Sequence, residues 1–148
     1  MTVAAPRQKG AEPVEVLLVH GSPRRVNEYL FEETPDKTLL GRMAEAGADV
    51  MLFGHTHKLY HKALAVEAES GETVYQHAVN TGSVGKPKDG DPRADYVLLT
   101  VDAERPKSDP GYCRPEFVRV LYDVEEAARA VEASPLPDAF AEGLRRAR

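Results

Sequence analysis

A single cysteine, Cys113, stands in 148 residues. One thiol cannot close an internal disulfide, so the chain suits a reducing compartment, and a cytoplasmic location is the expectation. Cys113 lies in Asp109-Pro110-Gly111-Tyr112-Cys113-Arg114-Pro115, a loop composition with no histidine beside it in sequence. It reads as structural, not as a nucleophile. Positive charge is also short: 19 Lys and Arg face 24 Asp and Glu, for a net charge of -5. That balance excludes a broad nucleic-acid surface or an anionic-membrane surface, but leaves room for a local site holding a small phosphorylated substrate. No apolar run approaches the length that crosses a bilayer. Met1 to Pro13 is polar, lacks the apolar segment of a secretory signal, and reads as a flexible leader. Neither an internal repeat nor a low-complexity tract is present.

What is there suits one packed domain, with 42% hydrophobic and 29% charged residues. Val14 to Val19 is an apolar run that reads as a strand, and Asp49 to Phe53 reads as another. Between them Thr34-Pro35-Asp36 opens a helix, with Thr34 as N-cap and Pro35 at the first helical position. Leu39, Leu40, Met43 and Ala44 make its apolar stripe, and Gly47 ends it. Strand, helix, strand is a βαβ unit, so the two strands should be parallel with a right-handed crossover.

His61 to Ala68 and Thr73 to Val79 read as a hairpin turning at Glu69 to Glu72. A long loop, Asn80 to Arg93, follows. Tyr96 to Val101 and Glu116 to Tyr122 read as further strands, with Ala103 to Pro115 a surface connection between them. Asp123 caps a helix reaching about Ala133, and Leu136 to Arg148 forms a last helix. The fold class is therefore α/β, a βαβ unit followed by mostly antiparallel strands and terminal helices.

Both strands of the βαβ unit end in histidine beside glycine: Val19-His20-Gly21 and Phe53-Gly54-His55-Thr56-His57. Parallel strands deliver these residues to one edge of the sheet, where open α/β sheets place their ligands. His20, His55 and His57 should converge there. Three neutral imidazoles can hold one zinc ion with an open position, or form part of a larger site that also needs carboxylates. The Asn80–Arg93 loop offers free backbone N–H groups, and Arg93 a planar fork suited to phosphate, although its glycines serve equally as turn formers. Lys86 and Lys88 read as solvated charge. His61 and His77 lie at strand ends without a matching partner and read as ordinary histidines.

The ordered set His20-Gly21, Gly54-His55-Thr56-His57 and Asn80-Thr81-Gly82-Ser83-Val84-Gly85 resembles the calcineurin-like metallophosphoesterases, in particular their small prokaryotic members. The likeness covers about Val14 to Tyr122. It implies a layered α/β/β/α sandwich and hydrolysis of a phosphate mono- or diester by a metal-activated water. It also implies two divalent ions, drawn from manganese, iron, zinc or nickel. His20 and His55 would bind one ion and His57 the other, with Arg93 beside the substrate. The family's Asp-x-His, bridging Gly-Asp and Gly-Asn-His motifs have no counterpart here. The one Gly-Asp, Gly90-Asp91, follows the histidine pair instead of preceding it.

The resemblance thus implies a leader over 1–13, a partial metallophosphoesterase domain over 14–123 that matches the family's C-terminal half, and a helical segment over 124–148. The expected partners are a small phosphorylated substrate and either an N-terminal half or a second copy of the chain. A one-metal hydrolase using the three histidines, and a non-catalytic assembly module, are the alternative readings.

Overall fold

The computed structural model describes residues 1–7 and 12–148. Two sheets carry the fold. The larger has five strands in the order β1-β2-β3-β5-β4: β1 (Thr2–Ala5), β2 (Val14–Leu18), β3 (Val50–Phe53), β4 (Leu59–Glu67) and β5 (Thr73–Thr81). The smaller pairs β6 (Ala94–Val101) with β7 (Cys113–Val120). β2 and β3 run parallel, with Val16 opposite Val50 and Leu18 opposite Leu52, and α1 (Asp36–Ala46) crosses between them. The βαβ unit is present as expected.

Period-two alternation sorts the apolar side chains of the large sheet into two layers. Leu17, Met51, Phe53, Tyr60, Leu64 and Ala78 form one face and bury Leu39 and Met43 of α1. Val14, Val16 and Val50 form the opposite face with Tyr112 and Cys113, and Leu99 and Val101 of the small sheet pack against them. The layers are therefore helix, five-stranded sheet, two-stranded sheet.

Several expectations change. Thr2–Ala5 is not leader but an edge strand, antiparallel to β2 with Val3 opposite Val16; residues 8–11 of that expected leader lie outside the described ones. Pairing with an existing edge makes this strand, not its own hydrophobicity. The cap of α1 moves by one residue: Pro35 holds the N-cap position with no side-chain bond, and its carbonyl accepts from Thr38 and Leu39. Gly47, at φ 61°, closes the helix in the left-handed region, where its own N–H and that of Ala48 reach Ala44 O and Met43 O.

β5 also lies parallel to β3, Val50 opposite His77, so the hairpin joins the βαβ unit as its third parallel neighbour. Ala103 to Pro115 is not all surface. Tyr112, in a 3₁₀ turn at Pro110–Tyr112, is fully buried, and Cys113 opens β7. Burial pushes the Cys113 thiol up to about 12, away from nucleophile chemistry. At the C-terminus, Asp123 caps α2 (Val124–Glu132) by accepting from Glu126 N–H. The last helix, α3 (Ala139–Arg146), is tied to α2 by Arg145, whose guanidinium meets Glu125 and Glu132.

Candidate metal centre

The ladder between β2 and β3 does not stop with the strands. Val19 N–H donates to Leu52 O, and Gly54 N–H donates to His20 O at 2.9 Å. These bonds hold the two strand ends side by side and bring His20 Nε2 within 2.9 Å of His55 Nδ1. Their rings meet edge-on at 70°. His20 is exposed and His55 half-buried. His55 Nε2 is buried, with no hydrogen-bond partner among the described residues. A buried ring nitrogen without a partner is costly unless a ligand takes it. Tyr29 covers the other side of His55, the ring centres 4.1 Å apart.

His57 leaves the turn in a different direction. Its Nδ1 lies 2.7 Å from Lys86 O. A carbonyl can only accept, so the ring donates from Nδ1 and its Nε2 carries the lone pair. Burial lowers the His57 pKa, the Lys86 carbonyl opposing it, which favours the neutral ring. Carbonyl-anchored neutral imidazoles are the usual form of a metal-binding histidine. Lys86 is therefore not mere solvated charge: its backbone orients His57 while its ammonium lies 4.6 Å from the centre of the Phe140 ring on α3. Lys88 N–H closes the same loop onto His57 O at 2.9 Å.

The turn that carries both histidines is strained. His55 and His57 have φ of 65° and 61°, a region that costs non-glycine residues about 1–2 kcal/mol each. Such outliers gather where side-chain direction matters.

The expected convergence is thus met in part. His20 and His55 are joined, and His57 shares their turn but faces Lys86. No group of three or more His, Cys, Asp or Glu is arranged to hold a metal among the described residues. The donors fit the imidazole share of a zinc-type site; no carboxylate stands with them. Arg93 is engaged elsewhere, its guanidinium clasping Asp91 through contacts of 2.5 and 3.0 Å. That clasp holds the Asp91 carboxyl down at about 2.

A cavity of about 350 Å³ opens beyond the strand ends between the two sheets, lined by Val19, Phe53, Gly82, Val84, Asp95 and Tyr96. Asp95 is buried there, and burial raises its pKa. Arg119 Nε lies 3.0 Å from its Oδ1 without hydrogen-bond alignment.

Sequence reasoning missed two features. His61 and His77 do have a partner, namely each other: His61 Nε2 is 2.9 Å from His77 Nδ1, inside the sheet. The second omission is the buried pair Asn80 and Thr56, which binds the histidine turn. No local pattern announces it: Thr56 lies in the turn beyond β3 and Asn80 within β5.

Residues 4–104 match the family model of the calcineurin-like phosphoesterase superfamily domain. The chain belongs to that superfamily, whose members are metal-dependent phosphoesterases in type. Among curated proteins it is 26% identical to an uncharacterized protein of Methanocaldococcus jannaschii, covering 88% of this chain and 51% of the relative. Among solved structures, a metallophosphoesterase from Sphaerobacter thermophilus shares 24% identity at a TM-score of 0.65, covering 88% of this chain and 54% of that one. A hypothetical protein of Pyrococcus horikoshii shares 18% at a TM-score of 0.66, covering 97% and 49%. Those two likenesses show the fold. The chain spans about half the length of each of these relatives. No helix among the described residues is long and apolar enough to cross a membrane.

Proposed function

We propose that this chain carries the imidazole part of a metal-dependent phosphate-ester hydrolase site, with His20, His55 and His57 as ligands. The observation that carries the reading is His55: beyond the end of its strand, paired with His20 at 2.9 Å and held at positive φ; its buried Nε2 without a partner is a feature it shares with His77. A bound divalent ion supplies Lewis acidity toward a phosphoryl oxygen and makes a water more acidic. The chain's own residues do the rest. Lys86 O fixes the His57 tautomer, Tyr29 shields one side of His55, and the ladder from Gly54 to His20 sets the spacing of the two strand ends.

Two dications set close together repel, and neutral imidazoles do not offset that repulsion. A two-ion site therefore needs a bridging carboxylate, which we assign to an N-terminal half or a second copy of the chain. Leu18 and Tyr96, exposed apolar residues lining the inter-sheet cavity, suit such a partner. The substrate is a small phosphorylated molecule, and the free cysteine suits a reducing compartment.

The test is purified chain with excess manganese and a bis(nitrophenyl) phosphate substrate. Hydrolysis near background is expected from residues 1 to 148 alone. Robust metal-dependent turnover by a monomer would overturn the shared-site reading in favour of the one-metal alternative.

A further inference from the structure

We infer that Asn80 is the positioning residue of the histidine turn: its side-chain amide sets the directions of His55 and His57. Asn80 sits on β5 opposite both Phe53, just before the turn, and Tyr60, just after it. It is fully buried. Its Nδ2 donates to Gly54 O at 3.1 Å and to Thr56 Oγ1 at 2.8 Å. Its Oδ1 accepts from Gly82 N–H at 3.1 Å. Thr56, also buried, accepts in turn from Lys58 N–H at 3.2 Å.

The bonded residues Gly54, Thr56 and Lys58 alternate with His55 and His57. Each histidine at positive φ is thus flanked on both sides by a residue tied into the Asn80 network. The network leaves the imidazoles free while fixing the peptide units before and after them. Gly54 O also accepts from Thr56 N–H at 2.8 Å, so the tight bend and the amide clamp share one oxygen.

The chemistry at this position is specific. The two Nδ2 hydrogens and one Oδ1 lone pair are all used, so the amide has one orientation. Flipping it would set Oδ1 against Gly54 O and Nδ2 against Gly82 N–H. A carboxylate of the same size would oppose Gly54 O, and an apolar side chain would take one hydrogen bond each from Gly54 O and Thr56 Oγ1 and leave Gly82 N–H without its partner. At the other end, Gly82 sits at φ 69°, where a Cβ would come within 2.7 Å of Asp95 Oδ2 and of Leu59 Cδ2. Asn80 therefore ties the histidine turn to the first turn of the Asn80–Arg93 loop, and Lys86 of that same loop holds His57 from the other side.

The inference rests on the metal reading for one of its two readouts only. The full 148-residue chain is compared with Asn80→Ser, Thr56→Val, Thr56→Ser and the core variant Leu64→Ala. The first readout is the imidazole nitrogen and carbon NMR resonances of His55 and His57 in metal-free protein. The second is affinity for cobalt(II), followed by its visible absorption. Asn80→Ser and Thr56→Val are expected to displace both sets of resonances, mix the His57 tautomers, and weaken cobalt binding about tenfold or more. Thr56→Ser restores the hydroxyl and is expected to match wild type. Leu64→Ala is expected to lower the unfolding midpoint while leaving resonances and affinity in place.

Wild-type resonances and affinity in Asn80→Ser would overturn the assignment, as would an equal loss in Leu64→Ala. Should Asn80→Ser fail to fold, the contrast between Thr56→Val and Thr56→Ser decides by the same readouts. If wild-type chain binds no cobalt, the proposed function falls while the resonances still decide the role of Asn80.

Discussion

Two histidine pairs in this molecule share one contact and rest on different backbones. In each, Nε2 of one ring stands 2.9 Å from Nδ1 of the other. His20 and His55 meet beyond the ends of two parallel strands, edge-on at 70°, with His55 on a strained turn. His61 and His77 meet within regular antiparallel strands, near-parallel at 13°. His77 is fully buried against the edge of Tyr112, ring centres 4.9 Å apart. Burial, with His61 adding to it, pushes its pKa down to about 4. On the function proposed above only the first pair binds metal, so contact between imidazoles is not by itself the mark of such a site. What separates the pairs is the backbone beneath them: strand ends with a turn at positive φ on one side, continuous ladder on the other.

The sharpest way to break this comparison is by metal affinity. His55→Ala or His20→Ala is expected to weaken zinc or manganese binding by about a hundredfold, or 2.7 kcal/mol. His77→Ala and His61→Ala should leave it nearly unchanged, as calorimetric titration would show. Equal losses at both pairs would erase the distinction.

Stability should reverse the ranking. His77→Ala removes a fully buried ring and is expected to cost about 2–4 kcal/mol in urea denaturation. His55→Ala, which also relieves a residue at positive φ only if the turn relaxes, should cost less than about 1 kcal/mol.

Acid should act through the buried pair. A histidine at about 4 in the folded chain and about 6.5 unfolded takes up its proton more readily when unfolded. Its contribution is fully present above about 6.5 and is lost as pH falls toward 4. The expected loss between pH 7.5 and 4.5 is about 2 kcal/mol. Urea midpoints across that range should slope in wild type and flatten in His77→Phe.

The smallest effect is at Tyr112, whose hydroxyl donates to Tyr75 O at 3.0 Å beside the buried pair. Tyr112→Phe is expected to cost about 1 kcal/mol with metal affinity untouched, measured by the same denaturation and titration.

Much of this was legible in the sequence where hydrophobic pattern and geometry coincide. Val14 to Val19 and Val50 to Phe53 are apolar runs, so the βαβ unit and the meeting of His20 with His55 followed from them. β1 was not legible, because Thr2–Ala5 becomes a strand only by pairing with β2. The partner of His61 was within reach. The hairpin turn sets Ala63 opposite His77 and His61 opposite Val79, which makes the two histidines diagonal neighbours. Reading the strands singly, without carrying the register through from the turn, hid the pair. The direction of His57 was out of reach for a different reason. It depends on a carbonyl 29 residues away and on Asn80, whose burial no local pattern announces.

The most direct test is an anomalous-scattering measurement on crystals of the chain grown with zinc. The account predicts a zinc peak in contact with the His20 and His55 rings and none beside His61 and His77. A peak at the buried pair, or no peak at His20 and His55 with zinc in excess, would contradict it.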